Sequence, residues 1–360
     1  MAGRVTLQDI ADELGVSRNT VSKAINNTGI LAEDTREKVL QKAIEMGYKQ
    51  FSYIKEAAMN ETAGQTKEPQ VPAGGMGEIA LLTRGFPGNS RYISVMLNRL
   101  QGEFSRKGYA FTLHWIHEED EEGLRLPLSF DKGKTTGIVC VEMLDYQYCS
   151  MLCSLDIPVL FVDSPVMGMS RPLKADFIYP DNQSAVCGFV REMVRRGKKQ
   201  IGFLGEYMHC QSFFERYMGY RNAMYLCGLP CPEEKCVLGN QEGVKRPAAE
   251  EYQAYLKASF LKMKELPEVY LCANDYVAFD AMRVLKGLGV AVPQDVWLCG
   301  FDDTVEAKVS TPSLTTACIH SHVMGDSAAY LLASRIKEPS LDCRAMHVQT
   351  GLIYRESTAD

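Results

Sequence analysis

The chain has 360 residues, 46% apolar, 23% charged and 9% aromatic, which excludes a disordered, collagenous or coiled-coil protein and leaves room for about two or three domains with cores of their own. A formal net charge of −6 argues against a protein that coats polyphosphate along its whole length, and no apolar run approaches the roughly 18 to 20 residues of a membrane span. The N-terminus, MAGRVTLQDI, lacks the apolar segment of a signal peptide, so the chain reads as cytoplasmic, with no membrane partner.

The charge is unevenly placed. In residues 1–50 seven cations, Arg4, Arg18, Lys23, Arg36, Lys38, Lys42 and Lys49, balance seven acids, so the acidic excess belongs to the remainder. A neutral head can still bind DNA if its cations share one face and two heads act together. Of the twelve cysteines, Cys140, Cys272 and Cys299 lie inside apolar runs and behave as small hydrophobes. Cys149 with Cys153, and Cys227, Cys231 and Cys236, lack paired C-x-x-C spacing, so no metal is expected.

Helix periodicity with sharp punctuation opens the chain. Thr6-Leu7-Gln8-Asp9 has the form of a capping box, in which the Thr hydroxyl takes a free backbone N–H and the acid reaches back. The helix runs to about Leu14 and stops at Gly15, because glycine enters a left-handed turn without strain. Ser17 caps a second helix with Val21, Ala24 and Ile25 on its inner face, and a third runs from about Asp34 to Met46. Two short helices joined by a Gly turn form a helix-turn-helix, whose second helix can enter a major groove. Arg18, Asn19, Thr20, Ser22, Lys23 and Asn26 face outward and suit bases or phosphates, although an ordinary surface helix shows the same polarity.

From about Asn60 to Gly77, NETAGQTKEPQVPAGGMG almost lacks large apolar residues and reads as a flexible linker. Beyond it, apolar runs alternate with amphipathic stretches: IALLT, a helix over about 90–107, YAFTLHWI, GIVCVEM, a helix, and IPVLFVDSP. The rhythm continues with a helix over 182–196, QIGFLGE, a helix over about 217–226, EVYLCAND, a helix to Leu288, and VWLCGFDD. Such βαβα alternation means parallel sheets covered by helices on both faces, with ligands at the carboxyl ends of the strands.

The stretch VTLQDIADELGVSRNTVSKAINN followed by TREKVLQKAIEMGY resembles, almost position for position, the DNA-binding head of the LacI/GalR transcriptional regulators. PVLFVDSP, YPDN, ERYMGY from Glu215 to Tyr220, CANDYVAFDAM, VPQDVWLCGFDD, PSLTT and RES at Arg355 to Ser357 resemble that family's sugar-binding-protein-like sensor. The resemblance implies a small all-α helix-turn-helix head over 1–50, a hinge and linker over 51–77, and an α/β, two-lobed, periplasmic-binding-protein-like sensor with parallel sheets over 78–360. The lobes are expected over about 78–177 plus 313–338 and about 178–312 plus 339–360.

It also implies roles. Arg18, Asn19 and Lys23 match base-reading positions; Thr6, Ser17, Thr20, Ser22, Asn26 and Thr35 match phosphate-holding ones, and Leu7 joins the DNA-facing set. Arg216 and Asp302 match the family's effector-binding Arg and Asp, with Tyr92, Ser212, Asn274 and Asp275 as further partners. An Arg fork donates, a carboxylate accepts and an aromatic face stacks, which suits a polyhydroxylated ligand. Arg216 could instead pair with Glu215 or Asp302, and Asp275 could cap the helix that begins after Asn274.

Departures from the family's pattern cluster at the joint. YKQFSYIKEAAMNE lacks the usual Pro, and Ala57 stands where a Leu wedges into the minor groove, which puts the operator kink in doubt. Ala32 replaces a capping Ser or Thr, and Asn240 and Gln241 stand where an aromatic often stacks on the ligand, which disfavours a purine. The implied function is a transcriptional regulator, a repressor, acting as a homodimer on near-palindromic double-stranded operator DNA and controlled by a carbohydrate or derivative bound between the lobes. The alternative is a regulator whose sensor has lost its ligand and only dimerises. An enzyme is not expected, since His114, His117, His320 and His322 have no assignable partners. Nor is a cofactor: Gly133-Lys134-Thr135 fails as a phosphate loop because Leu128 replaces the required Gly.

Overall fold

The computed structural model describes residues 5–25, 76–85, 91–168, 170–239 and 249–359, together with Thr35, Lys38, Val39, Lys42, Ala43 and Met46. Expectations for Asn26, Ala32, the hinge with Ala57, the linker, Asn240 and Gln241 lie outside these residues. The chain divides into two compact units, Met1–Gln70 and Val71–Asp360.

In the first unit, α1 (Leu7–Leu14) and α2 (Arg18–Ile25) form as their caps dictate. Thr6 Oγ1 accepts the Asp9 N–H at 3.3 Å while Asp9 Oδ2 accepts the Thr6 N–H at 2.7 Å, closing the capping box. Gly15 ends α1 at φ +64°, the left-handed region. Ser17 Oγ accepts the Thr20 N–H at 3.0 Å and so caps α2. Ile10, Ala11, Val21 and Ala24 pack with Val39 and Ala43, two of the described helical residues between 35 and 46, as the core of the head. Val21 is buried as expected, and the side chain of Ile25 lies outside the description.

The described strands of the second unit form two sheets. The first contains β1 (Glu78–Thr83), β2 (Ala110–Trp115), β3 (Thr135–Val141), β4 (Val159–Val162), β5 (Asp176–Pro180) and β10 (Ala345–Val348), all parallel, in the order β10-β5-β4-β3-β1-β2. The second contains β6 (Ile201–Leu204), β7 (Val269–Cys272), β8 (Trp297–Asp302), β9 (Thr315–Ile319) and β11 (Thr350–Ile353) in the order β11-β9-β8-β7-β6, with only the β11–β9 pair antiparallel. Central strands such as β4, VLFV, are buried at every position, the mark of a parallel sheet covered on both faces. Helices relevant below are α3 (Arg91–Arg106), α4 (Glu118–Glu122), α5 (Tyr146–Cys153), α6 (Ser184–Arg195) and α7 (Gln211–Leu226). They are followed by α8 (Ala249–Lys262), α9 (Asp275–Gly287), α10 (Val305–Val309) and α11 (Ser321–Lys337). The helix expected from about Tyr217 begins six residues earlier, at Gln211.

The division of the lobes corrects the sequence expectation. The chain crosses between sheets after β5, after β9 and after β10, so β9 belongs to the second lobe, while α11 packs on α3 and the first sheet, and β10 pairs with β5. Sheet membership depends on long-range pairing, for which short apolar runs such as AMHV carry no local signal. The return of β10 is fixed by Asp176, which is fully buried. Arg335 Nη2 donates to its Oδ1 at 2.8 Å, Arg344 Nη2 to its Oδ2 at 2.7 Å, and the Arg344 N–H to Oδ1 at 2.8 Å. Burial alone would raise this carboxyl, but the bonds from Arg335 and Arg344 outweigh it and hold it below the usual range.

Candidate functional site

On the head, the caps that build the helices also present the polar set. Ser17, Arg18 and Asn19 are exposed, and Thr20, Ser22 and Lys23 are half-buried on α2. Thr6 is exposed at the start of α1, and Leu7 and Thr35 are half-buried. The hydroxyls of Ser17 and Thr20 lie 2.8 Å apart, and the Thr6 hydroxyl donates to Asp9 Oδ2 at 2.8 Å, so the short side chains are held in place at the helix N-termini. Helix N-termini that offer N–H groups and hydroxyls suit phosphate oxygens, and the longer Arg18, Asn19 and Lys23 suit base edges.

In the second unit a polar group gathers where carboxyl ends of strands from both sheets meet. Asp302 ends β8 at φ +123°. Its side chain is 10% exposed and stands 3.9 Å from Arg216 Nη2, beyond hydrogen-bond range. Arg216, on the second turn of α7, is buried; Nε donates to Asn182 Oδ1 at 2.9 Å, Nη1 to the Ala273 carbonyl at 2.6 Å, and the guanidinium lies 3.6 Å from the Phe301 ring centroid. Tyr92, on the first turn of α3 in the opposite lobe, reaches the same place. Burial pushes its hydroxyl pKa well up, and the carboxylates of Asp302, Asp163 and Glu142 add to this against the opposing Arg216, so the phenol remains a donor. Burial likewise holds Asp302 well above the usual carboxylate range, against Arg216 and reinforced by Asp275 and Asp163.

The expected residues do not all converge. Ser212 is buried at the start of α7, where its N–H donates across the lobes to Asp163 Oδ1 at 3.1 Å. Asn274 caps α9, its Oδ1 accepting the Val277 N–H at 2.9 Å. Asp275 is a correction: fully buried, it accepts the Thr304 N–H at 2.8 Å, the Thr304 hydroxyl at 3.0 Å and the Thr316 hydroxyl at 2.5 Å, all within its own lobe. Both of its oxygens are committed to that structure, so it is unavailable to a ligand.

Two residues escaped the sequence reading. Asp163 directly follows β4 at φ +62°, and besides the Ser212 N–H it accepts the Ser164 N–H at 2.8 Å. An acid closing the buried run IPVLFVD is the available signal, since ligands of parallel sheets gather at strand carboxyl ends. Asn182 is fully buried and holds both Arg216 and Glu215. Among the described residues no group of three or more His, Cys, Asp or Glu side chains could hold a metal, and no helix is long and apolar enough to cross a membrane. His114 is a core residue, its ring nitrogens 2.8 Å from the Ser129 hydroxyl and 3.0 Å from that of Thr112.

Residues 6–50 match the model of bacterial regulatory proteins of the lacI family, and residues 190–358 match that of a periplasmic binding protein-like domain. Similar curated proteins include the HTH-type transcriptional repressors PurR of Erwinia tasmaniensis, 25% identical over 357 residues, and of Proteus mirabilis, 26% identical over 360. Each alignment covers 99% of this chain and 97% of the relative. Among solved structures, a transcriptional regulator CelR–cellobiose complex aligns with a TM-score of 0.65 at 21% identity, over 98% of this chain and all of that one. A lac repressor dimer bound to operator and the anti-inducer ONPF aligns with a TM-score of 0.62 at 19% identity, over 99% of this chain and all of that one.

Proposed function

We propose, for a chain that belongs to the lacI family of bacterial regulatory proteins, that it represses transcription as a homodimer on a near-palindromic operator and that an uncharged, polyhydroxylated effector bound between the sensor lobes sets its DNA affinity. Arg18, Asn19 and Lys23 read bases, and Thr6, Leu7, Ser17, Thr20, Ser22 and Thr35 hold the backbone. Because the head carries no net positive charge, one head binds weakly and a pair supplies the affinity.

The observation that carries the sensor half is Asp302, nine-tenths buried beside Arg216 with no hydrogen bond from a described residue. A buried carboxyl to which no described residue hydrogen-bonds costs free energy that a ligand hydroxyl recovers. Two of the five Arg216 N–H donors are committed to Asn182 and Ala273, and neither recorded bond uses Nη2, which leaves donors for ligand oxygens. Neutral sugars that donate to Asp302 and accept from Arg216 and Tyr92 fit this balance. Ligand that binds one lobe arrangement better than the other shifts the spacing of the paired heads, and by linkage DNA changes ligand affinity by the same factor.

The first experiment is selection of random duplex DNA by the purified full-length protein at moderate salt, followed by a thermal-shift panel of neutral sugars. An inverted repeat, together with a sugar that at 100 times its dissociation constant adds about 2.7 kcal/mol, supports the reading. An operator without any sugar response points to a sensor that only dimerises.

A further inference from the structure

His347 lies on β10, the edge strand of the first sheet, close to the point where the chain crosses to the second. Its Nε2 is 3.4 Å from Oε2 of Glu215, which belongs to α7 of the other lobe. The imidazole is held flat against Tyr179 of β5, ring centroids 5.2 Å apart at 27°. Glu215 is equally fixed: Asn182 Nδ2 donates to its Oε2 at 2.9 Å and Gln211 Nε2 to its Oε1 at 3.1 Å. The other end of the same Asn182 amide accepts Arg216 Nε at 2.9 Å. A line of contacts therefore runs from His347 through Glu215 and Asn182 to the guanidinium beside Asp302, and Asn182 itself sits in the crossing that follows β5.

We infer that His347 is a positioning residue for the effector site: as imidazolium it clamps Glu215 across the two lobes and, through Asn182, holds Arg216 in place, so that closure of the sensor follows the protonation of this side chain. The inference rests on the reading of Arg216 as an effector contact. Among the described residues, the titratable groups that face the imidazole are Glu215 on α7, Asp181 in the crossing after β5, and Tyr179 on β5. Hydrogen bonding to Glu215 lifts the His347 pKa above its ordinary 6.5, partial burial opposes this, and the charges of Glu215 and Asp181 add to the lift. Glu215 stays ionised, because the bonds from His347, Asn182 and Gln211 outweigh its burial and hold it below the usual range. The sign follows from linkage. A raised imidazolium pKa makes the clamp complete below the ordinary value of 6.5 and removes it as pH rises through the raised value.

The test compares hydrogen exchange in segments 209–216 and 346–350 of the full chain for wild type, His347→Gln and His347→Arg, at about pH 6 and about pH 8.5, always against wild type at the same pH so that intrinsic exchange cancels. His347→Gln is expected to exchange several-fold faster than wild type at the lower pH and at the same rate at the higher. His347→Arg, permanently charged, is expected to match wild type at the lower pH and to exchange several-fold more slowly than wild type at the higher, which a packing role for the ring does not provide. Ratios that do not change with pH, or an Arg variant that loosens both segments at both values, overturn the inference. The sugar panel on wild type and Arg216→Gln separates the premise. A sugar response with a flat exchange ratio rejects the clamp alone, and a pH-dependent ratio with no response to any sugar rejects the effector reading and the link built on it.

Discussion

The Asp302 carboxyl stands 3.9 Å from Arg216 Nη2 in a junction so buried that the neighbouring guanidinium does not bring its acidity back to the ordinary range. Burial raises its pKa from 3.8 to about 8, so the native state binds a proton that the unfolded chain has released. Stability therefore falls as pH rises between those values. Asp302→Asn should flatten this slope and exceed wild type at about pH 8 by on the order of 2 kcal/mol, a figure set by roughly 1.4 kcal/mol per pK unit and discounted for coupling. Urea midpoints across that range check it, and parallel curves for the two proteins refute it.

Asp275 should behave in the opposite way. Asp275→Ala orphans the Thr304 N–H and two hydroxyls in the interior of the second lobe, at a cost of roughly 2 to 4 kcal/mol. Denaturation of the sensor should reveal that loss, whereas a variant of full stability with a weakened sugar response would return Asp275 to the site.

Adjacent residues in one motif thus part company. Asn274 and Asp275 both read as ligand contacts in CAND, yet the cap and the threonines of β9 and the loop after β8 claim them, and those threonines lie 29 to 41 positions away in sequence. The head was legible because a capping box, a left-handed glycine and a capping serine are local devices with fixed spacing. The βα rhythm was legible for the same reason, each apolar run being its own signal. What stayed hidden was long-range: the transfer of β9 and β10 between sheets, and Asp163, whose importance comes from the N-terminus of α7 lying opposite it.

Arg18 is the first exposed residue of α2 after its cap. Arg18→Ala should cost about 1 to 3 kcal/mol of operator affinity and relax selection at one base pair in each half-site. Sequencing of selected duplexes checks this, and a uniform loss over all sequences would reassign Arg18 to the phosphates.

Gly15 offers a contrasting change. A Cβ there meets nothing within 4 Å, so Gly15→Ala pays only for a left-handed backbone at φ +64°, about 1 to 2 kcal/mol. The head's core is small, and operator affinity should drop through partial unfolding with sequence preference intact. Circular dichroism melts alongside the selection distinguish the two variants, and an altered preference would count against this account.

The three crossings also bear on how the chain is made. α1 and α2 lie within the first 25 residues, so these helices can form while most of the chain is still unsynthesised. The sensor has no such opportunity: its first sheet lacks an edge strand until residues 345–348 exist, and its second lacks β11 and the Ser357 hydroxyl, which ties Thr315 to Leu298, until residues 350–357 follow. Throughout that interval β5 and β9 carry bare backbone edges on a nascent chain, and their correct partners come from its far end. The same interleaving that joins the two lobes in the finished sensor leaves the half-made one with unpaired strand edges open to mispairing.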